Sequence, residues 1–137
     1  MSKKIRASAI ITRRDKILVV KSRYSSGKEI FLLPGGKVED YESMENAVIR
    51  EVKEETNLDI AISNVVAYTE YIDKHKEKDV LEIIHSGKIL HGKETHLNDP
   101  SDKKHVVGLE WMTYEELCKK EFYPKDALKH IKIILTI

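Results

Sequence analysis

The stretch from Gly35 to Leu58, GGKVEDYESMENAVIREVKEETNL, constrains this chain more than any other. It follows Leu33-Pro34, and a proline with two glycines signals a turn. A helical run from about Glu42 to Thr56 comes next, with Ala47, Val48 and Val52 on an apolar side and Met44 near its start. Glu51, Glu54 and Glu55 crowd the other side beside Arg50. Residues three and four apart are neighbours on a helix, and like charges so placed destabilise it. Something positive is therefore expected among them. A hard divalent cation fits, because magnesium takes carboxylate and carbonyl oxygen, keeps several waters and bridges protein carboxylates to substrate phosphate. The paired glycines let backbone groups approach a ligand closely. The stretch reads as a metal platform facing a phosphate-bearing substrate. The plainer alternative is a solvated helix whose glutamates pair with Arg50, Lys53 and outside lysines.

Gly36, five residues, Glu42, seven residues, then Arg50-Glu51-Val52-Lys53-Glu54-Glu55-Thr56-Asn57-Leu58 resembles the Nudix box. Each fixed position of that pattern matches except its last glycine, which is Asn57 here. That glycine ends the helix in a left-handed conformation, and Asn is the usual substitute. The resemblance continues into Phe31-Leu32-Leu33-Pro34 and, more loosely, into Trp111-Met112-Thr113-Tyr114-Glu115-Glu116-Leu117. It implies an α/β Nudix fold, a mixed β-sheet packed between helices as an α/β/α sandwich. It also implies Mg²⁺- or Mn²⁺-dependent hydrolysis of a diphosphate linkage in a small nucleotide.

Carried over residue by residue, the resemblance makes Glu51 and Glu55 direct metal ligands. Glu54 comes next, and the main-chain carbonyl of Gly35 or Gly36 completes the set. Arg50 holds the first glutamate and pairs with Glu42, so these two belong mainly to site architecture, as does Gly36. Lys37 and Glu39 stand where they can meet phosphate or metal, with an exposed turn charge as the alternative for each. The catalytic group is then Glu51 with Arg50 and Glu54. The general base is either a glutamate of the box, such as Glu51, or a loop carboxylate, for which Glu94, Asp99 and Asp102 are candidates. Tyr24, Tyr68, Tyr71 and Phe31 are candidates to stack a base, with packing as the commoner role of such residues.

The remainder of the chain is consistent with that context. At 137 residues it is expected to form a single domain over residues 1–137. Ile5–Thr12 and Ile17–Lys21 read as a hairpin and Ile30–Leu33 as a strand into the glycines. Ile60–Ile72, broken near Ser63-Asn64, and Val80–Leu90, with a bulge at Ser86-Gly87, read as further strands. His91–Lys104 reads as a long loop and Val106–Met112 as a strand. Thr113 and Glu116 form a capping box, and Pro124 suits the first turn of a last helix. Leu128, Ile131, Ile134 and Leu135 give that helix a core stripe.

Charged residues make up 34% of the chain yet the net charge is +1, which argues against nucleic acid or anionic membrane as a partner. Lys3, Lys4, Arg6, Arg13 and Arg14 are the one group that could form a basic cluster. The lone Cys118 excludes an internal disulfide and reads as a packing residue. No run approaches a membrane span, so a cytoplasmic location is expected. The six histidines show no ligand spacing. Family members are often dimers, so the resemblance implies a homodimer. The competing functions are a nucleotide-sensing module without turnover and a pyrophosphohydrolase of RNA 5′ ends. Within the enzyme reading, ADP-ribose, nucleotide sugars, dinucleoside polyphosphates and nucleoside triphosphates remain open.

Overall fold

The structure is a computed structural model that describes residues 3–74, 77–95 and 105–136. Among these residues eight strands, β1 (Lys4–Arg13), β2 (Lys16–Arg23), β3 (Glu29–Leu32), β4 (Gly35–Lys37), β5 (Asp59–Asp73), β6 (Lys78–His91), β7 (Val106–Thr113) and β8 (Phe122–Tyr123), form one mixed sheet. Among the described residues three helices accompany the sheet: α1 (Met44–Thr56), α2 (Tyr114–Cys118) and α3 (Ala127–Leu135).

Strand β1 is the hinge of the architecture. It runs parallel to β6 from Lys4 to Ile11. On its other side its first half pairs with β4, Arg6 to Ser8 against Lys37 to Gly35, and its end pairs with β2 at Thr12 and Arg13. The sheet therefore divides beside β1, with β5, β6 and β4 to one part and β2, β3, β7 and β8 to the other. Side chains alternate across a strand, so Ala7, Ala9 and Ile11 face one layer and Ile10 the other. The first layer joins them to Leu18, Leu58, Ile60 and the Ala47, Val48, Val52 stripe of α1. The second joins Ile10, Ile17 and Ile84 to Leu117, Phe122, Ala127 and Ile131 around α2 and α3. The sheet thus lies between helices, as the sequence predicts.

Local chemistry sets the ends of α1. Ser43 caps its start by accepting from the Asn46 N–H at 3.1 Å. Asn57 closes it in the left-handed region at φ 65°, its N–H on the Lys53 carbonyl. Met44 lies outside the apolar stripe, 40% exposed.

Several expectations shift in detail. Gly35 and Gly36 are strand residues of β4 rather than a free turn. The break near Ser63-Asn64 is a bulge in β5, where Ile62 faces Gly87 and Asn64 faces Ser86, so the extra residue belongs to β5 rather than β6. Pro124 precedes α3, which starts at Ala127. Cys118 is exposed and does not pack. The capping box at Thr113 and Glu116 forms with both bonds present. Residues 96–104 of the long loop lie outside the described residues, and with them Asp99, Asp102 and His96.

Candidate active site

The positive group among the α1 glutamates is Arg50. Its Nε donates to Glu42 Oε2 at 2.7 Å, and its Nη2 donates to Glu42 Oε1 at 2.9 Å and to the Lys37 carbonyl at 3.1 Å. Its Nη1 reaches Glu51 at 2.9 Å and Glu54 at 3.5 Å. A bidentate guanidinium–carboxylate pair of this kind is both strong and directional. The bond to Arg50, then the Glu39 N–H donating to Oε1, hold the Glu42 carboxyl down at about 2. Arg50 is raised in turn, first by Glu42 and, against the cost of burial, by Glu51. One guanidinium thereby ties α1 to β4 and to the segment between them.

The two glycines are required by what lies against them. A Cβ on Gly36 would fall inside 3.0 Å of the Glu51 carboxyl, and one on Gly35 inside 3.0 Å of the Ala7 carbonyl and Ser8. Glu51 is 5% exposed, so its charge is held by partners rather than by water. Glu55, one turn on, accepts from the Gly35 N–H at 2.8 Å. Glu51 and Glu55 thus converge on the β4 glycines. Glu54 does not: its side chain is 58% exposed, on the outer flank of Arg50. Among the described residues no three His, Cys, Asp or Glu side chains gather closely enough to enclose an ion by themselves.

On the β1 side of the glycines stands a network that sequence reasoning missed. Arg6 donates from Nε to Glu82 at 3.1 Å, from Nη1 to the Gly35 carbonyl at 3.1 Å, and from Nη2 to the Leu33 carbonyl. Glu82, 1% exposed, also accepts from the Ser8 hydroxyl at 2.6 Å and the Tyr71 hydroxyl at 2.7 Å. Burial first, then the Glu82 charge, pushes the Tyr71 phenol well up. The available signal was the alternation of β1, which sets Arg6 and Ser8 on one face beside the glycine strand.

A cleft of about 740 Å³ opens where the sheet divides. Gly36, Lys37, Glu55 and Arg6 line one part, and Tyr24, Tyr71, Tyr123 and Asp126 line others, with Ile30, Leu32 and Val80 as apolar wall. Of the predicted base-stacking residues, Tyr24 and Tyr71 reach the cleft, whereas Phe31 is core at 5% exposure and Tyr68 is 67% exposed elsewhere. Tyr123 joins them unforeseen. Lys37 lines the cleft and Glu39 is an exposed residue outside its lining. His85 is buried against the Ser8 carbonyl, and His105 lines the cleft.

The basic group of the sequence does not form one cluster. Lys3 pairs with Asp79 and Glu70, Arg6 with Glu82, and Arg13 with Glu94. The last pair engages Glu94, one of the loop carboxylates considered as a base. It accepts both Arg13 nitrogens and the Trp111 Nε1–H at 3.2 Å, and the Arg13 bond leads in lowering its carboxyl to about 2. Arg13 and Arg6 are seven positions apart on β1, about 23 Å in extended chain.

The description NUDIX domain matches residues 2–134 of this sequence. The chain belongs to the Nudix family. It is 32% identical over 95% of its length to the ADP-ribose pyrophosphatase of Methanocaldococcus jannaschii, of which it covers 70%. It is 29% identical to the CTP pyrophosphohydrolase of Escherichia coli, over 87% of this chain and 82% of that one. Among solved structures, an ADP-ribose pyrophosphatase from Streptococcus suis superposes with a TM-score of 0.71 at 28% identity, over 98% of this chain and 91% of that one. As a Nudix hydrolase the chain is an enzyme acting on pyrophosphate bonds. Nudix hydrolases generally use divalent metal ions. No helix among the described residues is long and apolar enough to cross a membrane.

Proposed function

We propose that this Nudix hydrolase cleaves the diphosphate linkage of a nucleoside diphosphate joined to a second group, with ADP-ribose as the leading substrate, in a Mg²⁺- or Mn²⁺-dependent reaction. The observation that carries the reading is the continuity of one cleft from Gly36 and Glu55 to the tyrosines where the sheet divides. Its volume lies within the range of small-molecule sites. The names of the Methanocaldococcus and Streptococcus relatives supply the choice of ADP-ribose.

The donor set suits a hard cation. Glu51, Glu55 and the Gly35 carbonyl offer oxygen only, and Glu54 adds a carboxylate at the exposed rim. Magnesium is usually held by one or two carboxylates, with water and substrate phosphate completing the set. When bound, the ion neutralises phosphate oxygens and lowers the pKa of a coordinated water. The chain's own residues do the rest. Arg50 and Glu42 fix Glu51 in place. Glu51 or Glu54 takes the proton of the attacking water. Lys37 meets the phosphates, Glu39 stays at the outer turn, and Tyr24, Tyr71 and Tyr123 hold the nucleoside.

The test is hydrolysis of ADP-ribose, a nucleotide sugar, a dinucleoside polyphosphate and the nucleoside triphosphates, each with Mg²⁺ and with chelator. Metal-dependent cleavage of ADP-ribose at the highest kcat/KM is the expected result. A preference for a nucleoside triphosphate overturns the substrate class. Silence across the panel from folded, metal-bound protein overturns the small-nucleotide reading in favour of a nucleotide sensor or an RNA 5′ end as substrate.

A further inference from the structure

We propose that Arg6 and Glu82 are a positioning pair that aims the Gly35 carbonyl at the metal, an inference that rests on the metal reading of the site above. The parallel register of β1 and β6 sets Arg6 directly beside Glu82. Gly35 lies opposite Ser8 in the β1–β4 ladder. Its peptide groups turn to side chains there: the N–H goes to Glu55 and the carbonyl to Arg6. The orientation of that carbonyl is therefore set by the guanidinium and, through it, by Glu82.

The shape of the contact fits positioning better than bulk stability. Arginine presents its donors in a rigid planar fork. Here the fork spans the carbonyls of Leu33 and Gly35, which flank Pro34 at the entry to the strand that carries both site glycines. The third donor is fixed on Glu82, and Glu82 is itself pinned by Ser8 and Tyr71. A buried carboxylate with three donors has no freedom to let the guanidinium drift. Partners that hold a ligand from outside typically contribute 10–100-fold in metal affinity.

The experiment is titration of metal-free protein with Mn²⁺, followed by the loss of the free-ion EPR signal. Wild type, Glu55→Gln, Arg6→Lys and the double variant Arg6→Met/Glu82→Leu are compared, each with a thermal melt. Replacing both members of a buried ion pair by apolar residues is often neutral for stability, so the double variant is expected to stay folded. Its Mn²⁺ affinity is expected to fall about 10–100-fold. Arg6→Lys keeps the charge but cannot span both carbonyls, and is expected to fall between wild type and the double variant. Native Mn²⁺ affinity in the folded double variant overturns the proposal. If the double variant does not fold, native affinity in Arg6→Lys overturns it instead. Failure of the underlying reading looks different: wild type itself then binds no Mn²⁺, or Glu55→Gln binds it as tightly as wild type.

Discussion

Two arginine–glutamate clusters sit toward opposite ends of β1, and they differ in what they enclose. At one end Arg50 gathers Glu42, Glu51 and Glu54 beside the β4 glycines, with Arg6 and Glu82 on the strand side. At the other, Arg13 stacks over Trp111 at 4.3 Å and grips Glu94, which also takes the indole N–H. Each contains a carboxyl lowered to about 2 by an arginine. A perturbed carboxylate is a functional-site candidate only in probability, since structural ion pairs perturb pKa values as well. What separates the two is backbone and space. The first lies against glycines that a methyl group would displace and opens on the cleft. The second closes on itself, a clasp between β1, β7 and the segment after β6.

That contrast can be broken by substitution. The largest effect is expected at Glu55, where Gln keeps the size and removes the charge. A metal ligand is worth several kcal/mol of charge stabilisation, so kcat/KM should fall by about 100-fold or more while the melting curve stays native. Gly36→Ala comes next. Its methyl group must push the Glu51 carboxyl aside, and a loss of about 10–100-fold in Mn²⁺ affinity is expected, read by titration of the metal-free protein. Glu42→Gln frees one anchor of Arg50 and should lower activity by about 10-fold, measured as kcat at saturating metal. Glu94→Gln should leave kcat/KM unchanged and cost about 1 kcal/mol or less, as exposed ion pairs do, read from denaturant unfolding.

Acid sharpens the same comparison. Glu42 and Glu94 sit near 2 in the folded protein against an ordinary 4.5. The unfolded chain therefore takes up their protons first as the pH falls. Both clusters stabilise fully above about 4.5, and that contribution is lost as the pH drops toward 2. Glu42→Gln and Glu94→Gln should each flatten the fall in stability across that window. Only the first should also alter turnover at neutral pH.

Much of the first cluster was legible because its parts are close in sequence. Helical spacing placed Glu51 and Glu55 on one face, the glycines announced a close approach, and Asn57 adopts the left-handed conformation its place in the pattern required. The capping box at Thr113 was readable for the same reason. The Arg6–Glu82 pair was not, since its members are 76 residues apart and only the parallel register of β1 and β6 joins them. Arg13 and Glu94, 81 apart, were hidden in the same way. Strand β4 escaped notice because two glycines carry no alternating pattern. Cys118, in a charge-rich run beside Leu117, had no apolar periodicity to place it, and it is exposed.

The cluster at the glycines is expected to do the chemistry, and the cluster at Trp111 is not. The most direct measurement is metal-dependent hydrolysis of ADP-ribose by Glu55→Gln and Glu94→Gln beside the wild type, at saturating Mg²⁺. A collapse of turnover is expected in the first and wild-type turnover in the second. Wild-type turnover in Glu55→Gln, or a collapse in a folded Glu94→Gln, would contradict that expectation.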